Sequence, residues 1–404
     1  MVGSRFDVAV VGASIAGCTA ARFFALAGAR VALIDRDPDP DAYKVVCTHA
    51  IQSSATPTIE RLGLAPLLEA RGAVRTSARF WTPFSDWIVL PDDIPRAWGI
   101  TRRSMDPMLR KLAADTPGVE LVLGHTVVEL IGDGGRPAGV RATDRDGRIR
   151  TFDARLVVAA DGRGSNVARL ARVPGRVRRH GRFFYFAYWE GLRPATTDIH
   201  AWTLDPEGVA RFPNEDGLDL LVASVHHSRL PDYRADAEGE YARQLAGLPD
   251  APDLSQATRV SKLIGKLDMP NVMRPAARPG LAFVGDAALA SDPLWGVGCG
   301  WAFQTSEWLV DETADALLGG GDLDAALERY RRAFRRRLGL HHWVIAEYAS
   351  GRKTVGVEQA FFRATAKDPV LAYALADVAS RRAQPTRLAD PRLAARVVLG
   401  QFAR

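Results

Sequence analysis

Cysteine is scarce in this chain. Cys18, Cys47 and Cys299 are the full set, and an odd, widely spaced trio offers neither a disulfide framework nor a metal-ligand spacing. A reducing, cytoplasmic setting is expected. The histidines do not repair the deficit: His226–His227 and His341–His342 are sequence neighbours, and neighbours on a strand or helix face different ways. No metal site is expected. No uninterrupted apolar run reaches the about 18 residues of a membrane span, and Met1–Arg5 leads straight into an apolar strand with no signal peptide. Internal repeats and low-complexity segments are missing too.

What is present is a globular composition, 47% hydrophobic and 25% charged, long enough for two interleaved or consecutive domains. The net charge of +6 is mostly arginine, scattered apart from Arg176–Arg182 and Arg331–Arg337. Short basic runs are usually solvated faces, so no nucleic-acid partner is expected; an anionic cofactor accounts for part of the excess.

The chain is organised around Phe6–Asp35. A buried strand (Val8–Val11) meets Gly12-Ala13-Ser14-Ile15-Ala16-Gly17, then a small-residue helix, then the strand Val31–Ile34 and Asp35. This is the phosphate-binding βαβ pattern of dinucleotide proteins, with Ser14 where the middle glycine normally stands. Gly12 permits the turn off the strand, Gly17 lets the helix pack close, and the Ser14 hydroxyl can donate to a phosphate. Asp35 lies 23 residues after Gly12, near the ~20 expected of the acid that holds a ribose 2′-OH. Two further apolar strands end in chemistry-bearing turns: Ala154–Ala160 in Asp161-Gly162, and Gly280–Val284 in Gly285-Asp286, followed by the glycine-rich Pro293–Gly300. Each strand must be buried on both faces, and ligands of doubly wound sheets sit at the carboxyl ends of such strands. Between the motifs, Phe183–Trp189, Ile199–Leu204, Val209–Pro213 and Leu218–His226 read as a second, antiparallel sheet. A strand over Thr258–Leu267 and a meander of Val127–Ile131, Gly139–Ala142 and Ile149–Phe152, turning at Gly134-Gly135 and Asp146-Gly147, complete the β pattern.

In this order the three strand-end motifs resemble the para-hydroxybenzoate hydroxylase-like, group A FAD monooxygenases, a superfamily that includes flavin halogenases and geranylgeranyl reductases. The resemblance runs from about Val8 to Leu318. It implies an α/β fold: a Rossmann-like FAD-binding domain, an interleaved antiparallel β-sheet substrate domain and a C-terminal helical segment. The expected division is 1–72, 100–175 and 275–318 for FAD binding, 73–99 and 176–274 for the substrate domain, and 319–404 for the C-terminal helices.

The resemblance implies that Gly12, Ser14, Ile15, Ala16, Gly17, Asp35 and Arg36 serve the adenosine and pyrophosphate, and that Arg103 reaches the phosphates. Gln52 would meet the ribityl chain, Asp161 would shape the crevice below the flavin, and Gly285-Asp286 would bind a ribityl hydroxyl. Pro293, Gly296, Gly298, Cys299 and Gly300 would line the flavin. Phe184, Phe186, Tyr188, Trp202 and Phe212 of the second sheet, with Trp295, would form the substrate pocket, although strand alternation puts about half of such a set on the far face. Tyr188, His226 and Asp292 are the polar groups in plausible catalytic places. Two departures bear on the subfamily: Leu289 stands where many hydroxylases have His, and Gly300 where they have Asn. The halogenase Trp-x-Trp-x-Ile-Pro pattern and its glycine-flanked lysine segment are absent.

The implied chemistry is insertion of one O2 oxygen into a bulky aromatic or polyketide-like small molecule, by hydroxylation or epoxidation through a flavin hydroperoxide, in secondary metabolism. With one dinucleotide fingerprint, NAD(P)H is expected as a transient donor, or an external flavin reductase supplies electrons. Hydride transfer without oxygen insertion and a non-catalytic flavin-binding role are the alternatives. A monomer or homodimer is expected.

Overall fold

A computed structural model describes residues 4–133 and 135–400; Gly134 of the anticipated Gly134-Gly135 turn lies outside the described residues, as do 1–3 and 401–404. The elements that build the site are, in chain order, β1 (Ser4–Val11), α1 (Ile15–Leu26), β2 (Val31–Ile34), β3 (Ala78–Thr82), α2 (Arg102–Ala114), β4 (Val119–Val122) and β5 (Ile149–Ala159). They continue with β6 (Arg182–Glu190), β7 (Ile199–Thr203), β8 (Gly208–Pro213), β9 (Leu218–His226), β10 (Leu281–Phe283), α3 (Gly298–Leu318), α4 (Leu323–Ala349), α5 (Gly356–Thr365) and α6 (Pro369–Ala379).

A parallel sheet with the spatial order β10-β5-β1-β2-β4 forms the first layer. Its central strands carry Val and Ala on both faces and are buried on both: Val8, Ala9, Val10, Val31, Ala32 and Leu33 have no exposed surface, and α1 packs against β1 and β2. The meander hangs from the same sheet. Ile149–Phe152 and Ala154–Ala160, expected as two strands, are one continuous β5, whose first half pairs antiparallel with Gly139–Thr143 and whose second half pairs parallel with β1. No turn residue separates the halves, so the strand changes partners rather than direction.

The second sheet forms a roof, with β6-β9-β8-β7-β3 as adjacent strands. The expected strand over Thr258–Leu267 is two short ones, Thr258–Arg259 and Ile264–Lys266. Between them the Ser261 hydroxyl, rather than a backbone carbonyl, accepts the Tyr188 N–H at 2.9 Å, and the ladder is interrupted. The outer face of the roof is packed by Phe183, Trp202, Tyr233, Tyr241 and Leu245 in a core separate from that of the parallel sheet. Beyond α3 the described chain is helical, and α5 and α6 fold back towards the roof, where Ala376 packs with Leu90 and Ile94. Among the described residues, no helix is long and apolar enough to cross a membrane.

A cofactor cleft beside an apolar chamber

The cleft is built on two helix starts. At the end of β1, Gly12 has φ +106°, and a Cβ there would sit 2.5 Å from the Ala160 carbonyl oxygen; at Gly17 a Cβ would lie 1.7 Å from the Gly12 oxygen. Both positions therefore require glycine, one for conformation and one for contact. α1 and α3 each begin without a side-chain cap, which leaves first-turn N–H groups and the positive end of each helix dipole for an anion. Ile15 and Ala16 are buried in that first turn, and Gly285 packs onto Ala16. Gly298, at the start of α3, has only the Asp286 carboxylate near its open face, at 3.9 Å.

Around these starts the polar side chains are held in fixed roles. Asp35 accepts the Ala13 N–H at 2.5 Å and the Asp37 N–H at 2.9 Å, so the acid at the end of β2 also fixes the fingerprint loop. Arg102, one residue before the anticipated Arg103, reaches that loop: its Nη2 donates to Ser14 Oγ at 2.6 Å, while Nε and Nη2 bridge both oxygens of Asp106. Arg103 is exposed. The Ser14 hydroxyl keeps its own proton for a ligand, because Arg102 can only donate. Two turns further along α2, Arg110 donates to the Ala13 carbonyl at 3.2 Å and the Ala42 carbonyl at 2.8 Å. Arg36 is exposed at the rim.

Across the cleft, Lys44 Nζ meets Asp286 at 3.0 Å. Burial pushes the Asp286 carboxyl up, but Lys44, with Arg163 and Arg102 behind it, more than offsets this and the net shift is down. Asp161 accepts the Val167 N–H at 2.9 Å through Oδ2, and its Oδ1 is buried without a partner. Cys47 and Cys299 bring their sulfurs to 3.5 Å. The His49 backbone N–H donates to Cys47 Sγ at 3.3 Å; the Cys299 S–H, with the His49 side chain and the Arg102 charge nearby, holds the Cys47 thiol well below the ordinary range despite burial, while Cys299 is raised.

His49 links the cleft to the roof. The Arg102 backbone N–H donates to Nδ1 at 3.0 Å, so Nε2 carries the ring proton and donates to the Tyr188 hydroxyl at 2.5 Å. The Tyr188 proton is then free for another acceptor, and burial pushes its acidity down, keeping the phenol protonated. Beside Ala50 and Gln52, the Pro293–Gly296 turn carries Trp295 at φ +67° and Gly296 at φ +62°, a left-handed pair that a bulky residue adopts only when held. Gln52 donates to the Trp295 carbonyl. Asp292, with no exposed surface, anchors the turn by accepting Leu294 N–H, Arg182 Nη2 and His180 Nε2, each at 2.7 Å. Burial raises Asp292, and Arg182 and His180 reverse the shift to a lowered one. A Cβ at Gly300 would make ordinary contacts with Ala55 and Gln52 at 3.6 Å, so its site does not demand glycine.

Against the turn lies a chamber of about 220 Å³, bounded by Ala50, Gln52 and Trp295 on the cleft side and by Phe184, Phe212 and Val222 of the roof. Strand register sorts the aromatic candidates. Phe184 stands opposite Ser224, Phe186 opposite Val222 and Tyr188 opposite Leu220, so these six share the inner face. Trp202 pairs with Val209 on the outer face, where its indole packs edge-on against Trp87 and donates to the Pro249 carbonyl at 2.7 Å. Its side chain packs into the outer core, while the residue itself borders the chamber between Ala201 and Thr203. His226 closes the end of β9, accepting the Ser228 N–H and contacting the Ser228 hydroxyl at 2.8 Å. Lys44, His49, Arg102, Arg110 and Arg182 were missed in the sequence; only Arg102, Asp106 and Arg110 carried a signal there, their i, i+4, i+8 spacing on one helix face.

The donor set fits FAD. Two uncapped helix starts suit the pyrophosphate and the flavin pyrimidine edge, Asp35 a ribose hydroxyl, and Asp286 a ribityl hydroxyl. A family model described as the FAD binding domain matches residues 5–338. A menaquinone reductase of Mycolicibacterium smegmatis is 27% identical, with 84% of this chain and 85% of the relative covered. Digeranylgeranylglycerophospholipid reductase 2 of Methanothermobacter thermautotrophicus is 25% identical, with 83% and 84% covered. Among solved structures, a flavin-dependent brominase superposes with a TM-score of 0.82 at 17% identity over 99% of each chain, a likeness of fold alone. The family match, which runs from β1 into α4, takes in both the cleft and the roof sheet, and the chain therefore belongs to the FAD binding domain family, as an FAD-dependent oxidoreductase.

Proposed function

We propose that this protein is a monooxygenase that places one oxygen atom of O2 on a bulky, largely apolar small molecule. The observation that carries the reading is the Trp295 turn, which lines the apolar chamber and leads directly into the start of α3, one of the two helix starts of the cleft. Bound in the cleft, FAD supplies hydride transfer and O2 activation. The chain's own part is orientation and dryness. Gln52 and Asp292 hold the turn, the roof and C-terminal helices cover the chamber, and Tyr188 keeps a proton to donate. A covered apolar compartment limits water at the reacting atoms. Two electrons from NAD(P)H, or from an external flavin reductase, balance the second oxygen atom, which leaves as water. No lysine lines the chamber, which supports oxygen insertion over halogenation.

Hydride transfer without oxygen is the second reading, favoured by the reductase relatives at 25–27% identity. Turnover under ¹⁸O2 separates the two. One labelled oxygen per product supports the proposal; a product formed anaerobically at full rate, with no label under ¹⁸O2, replaces it with the second reading.

A further inference from the structure

The chamber's volume comes from small side chains at matched register. On the inner face of the roof, Ala210 stands opposite both Val222 and Ala201, Gly208 opposite Ser224, and Ala201 opposite Phe80. Ala201, Gly208, Ala210 and Ser224 thus form a hollow between the larger Phe184 and Phe212. At about 220 Å³ the space exceeds the roughly 150 Å³ of an engineered apolar cavity that takes up benzene. It has room for about two fused rings.

The walls hold no cation left unpaired for a ligand. Their charged residues are Arg182, Asp205, Glu207, Asp292 and Arg352. Arg182 is paired with Asp292 at 2.7 Å, Arg352 with Glu358 at 2.6 Å and Glu207 with Arg229 at 2.9 Å. Asp205 accepts the Thr354 N–H at 2.7 Å and its hydroxyl at 2.9 Å. An anion entering here would lose its hydration and meet no unpaired cation.

Three polar needs remain unmet among the lining residues. Ser53 Oγ on the cleft side and Arg182 Nε and Ser224 Oγ on the roof are buried and have no hydrogen-bond partner. Arg182 stands opposite His226 and Phe184 opposite Ser224, so Arg182 and Ser224 are diagonal neighbours on one face, a distance a long side chain spans. Buried polar groups without partners are uncommon and unfavourable, and a pair of them in one cavity wall marks where a ligand atom belongs.

We propose that the chamber takes an uncharged ring system of about two fused rings bearing a carbonyl or hydroxyl oxygen, which docks against Arg182 and Ser224 beside the Trp295 turn. The proposal rests on the functional reading above only in treating this chamber as the substrate compartment. Ala201 and Ala210 set the size limit, and Arg182 and Ser224 set the orientation.

The test is equilibrium dialysis of the FAD-loaded full chain against 2-naphthol, naphthalene and 2-naphthoate, which reads binding without turnover. The expected order is 2-naphthol tightest, with each of the others weaker by about tenfold. Ser224→Ala brings 2-naphthol about threefold to tenfold towards naphthalene. Arg182→Met would strand Asp292, so Arg182→Lys is the second variant: it retains the cation, lacks Nε–H, and should shift 2-naphthol in the same direction. Ala210→Phe abolishes uptake of all three while FAD content stays unchanged. Equal binding of 2-naphthol and naphthalene, 2-naphthoate binding as tightly as 2-naphthol, or full uptake by Ala210→Phe overturns the proposal. Failure to incorporate ¹⁸O while this order of binding holds would overturn the monooxygenase reading and leave the subsite standing.

Discussion

In the cofactor cleft, polarity is supplied largely by backbone N–H groups at two uncapped helix starts, tuned by charges fixed in pairs: Arg102 with Asp106, Lys44 with Asp286. In the chamber, space is supplied by alanine, glycine and serine on strands that pair side by side, and the cations are paired before a ligand arrives. The first region is built to meet a fixed anionic group, so few residues can change. The second is built by default, from what is small and faces inward, so its ligand can differ between proteins that share the cleft.

The comparison is broken most forcefully through the paired charges. Arg102→Met leaves Asp106 charged in a site where both side chains are almost fully buried; a loss of about 3–5 kcal/mol is expected, read as a lowered urea midpoint. Arg352→Met removes an ion pair that is partly exposed and should lower stability by under about 1 kcal/mol. Similar losses for the two would mean that the chamber is as tightly specified as the cleft.

Next in size is the cofactor itself. Asp286→Ala should weaken FAD retention by one to two decades, the scale of a charge-assisted hydrogen bond of roughly 1.5–3 kcal/mol. Asp161→Ala should weaken it less, since Asp161 also serves the Val167 N–H. Equal FAD affinity for folded Asp286→Ala and wild type, measured by flavin fluorescence titration, would remove Asp286 from the cleft.

A smaller effect sharpens the boundary of the chamber. Trp202→Phe strips the donor from the Pro249 carbonyl and should lower stability by about 1–3 kcal/mol, with 2-naphthol uptake and FAD content unchanged. A changed naphthol affinity would move Trp202 to the inner face.

The finest test is a pH dependence. The Cys47 thiol is lowered, so its thiolate persists at pH values where an ordinary thiol is protonated; Cys18 is raised by burial and stays unreactive. Iodoacetamide labelling of FAD-free protein, mapped by mass spectrometry, should therefore find Cys47 first, with its rate still high below the usual thiol pKa, and bound FAD should slow it. Earlier labelling of Cys18, or a rate at Cys47 that falls away near the ordinary thiol pKa, would contradict the hydrogen bonds drawn to that sulfur.

The two regions also differ in how far the sequence foretold them. Gly12, Gly17, Asp35 and Asp286 were legible because a helix start or a ribose acid demands one residue type at a short, fixed distance from a strand end. Arg102 was missed by one residue because the first turn of a helix presents neighbouring arginines in different directions, and only contact with Ser14 and Asp106 selects between them. Lys44, Cys47 and His49 lie in a loop with no period to read. For the roof, the strands were visible, but Trp202 and Phe184 could be sorted only by cross-strand register, since a shift of one residue exchanges the two faces. The hollow itself, made of Ala201, Gly208 and Ala210, had no sequence signal: small residues on a strand are read as weak propensity, not as space.

The most direct measurement of the account is the identity of the nucleotide held between the starts of α1 and α3. Heat release from purified protein, followed by chromatography, should yield one FAD per chain; recovery of NAD, FMN or no nucleotide would contradict it.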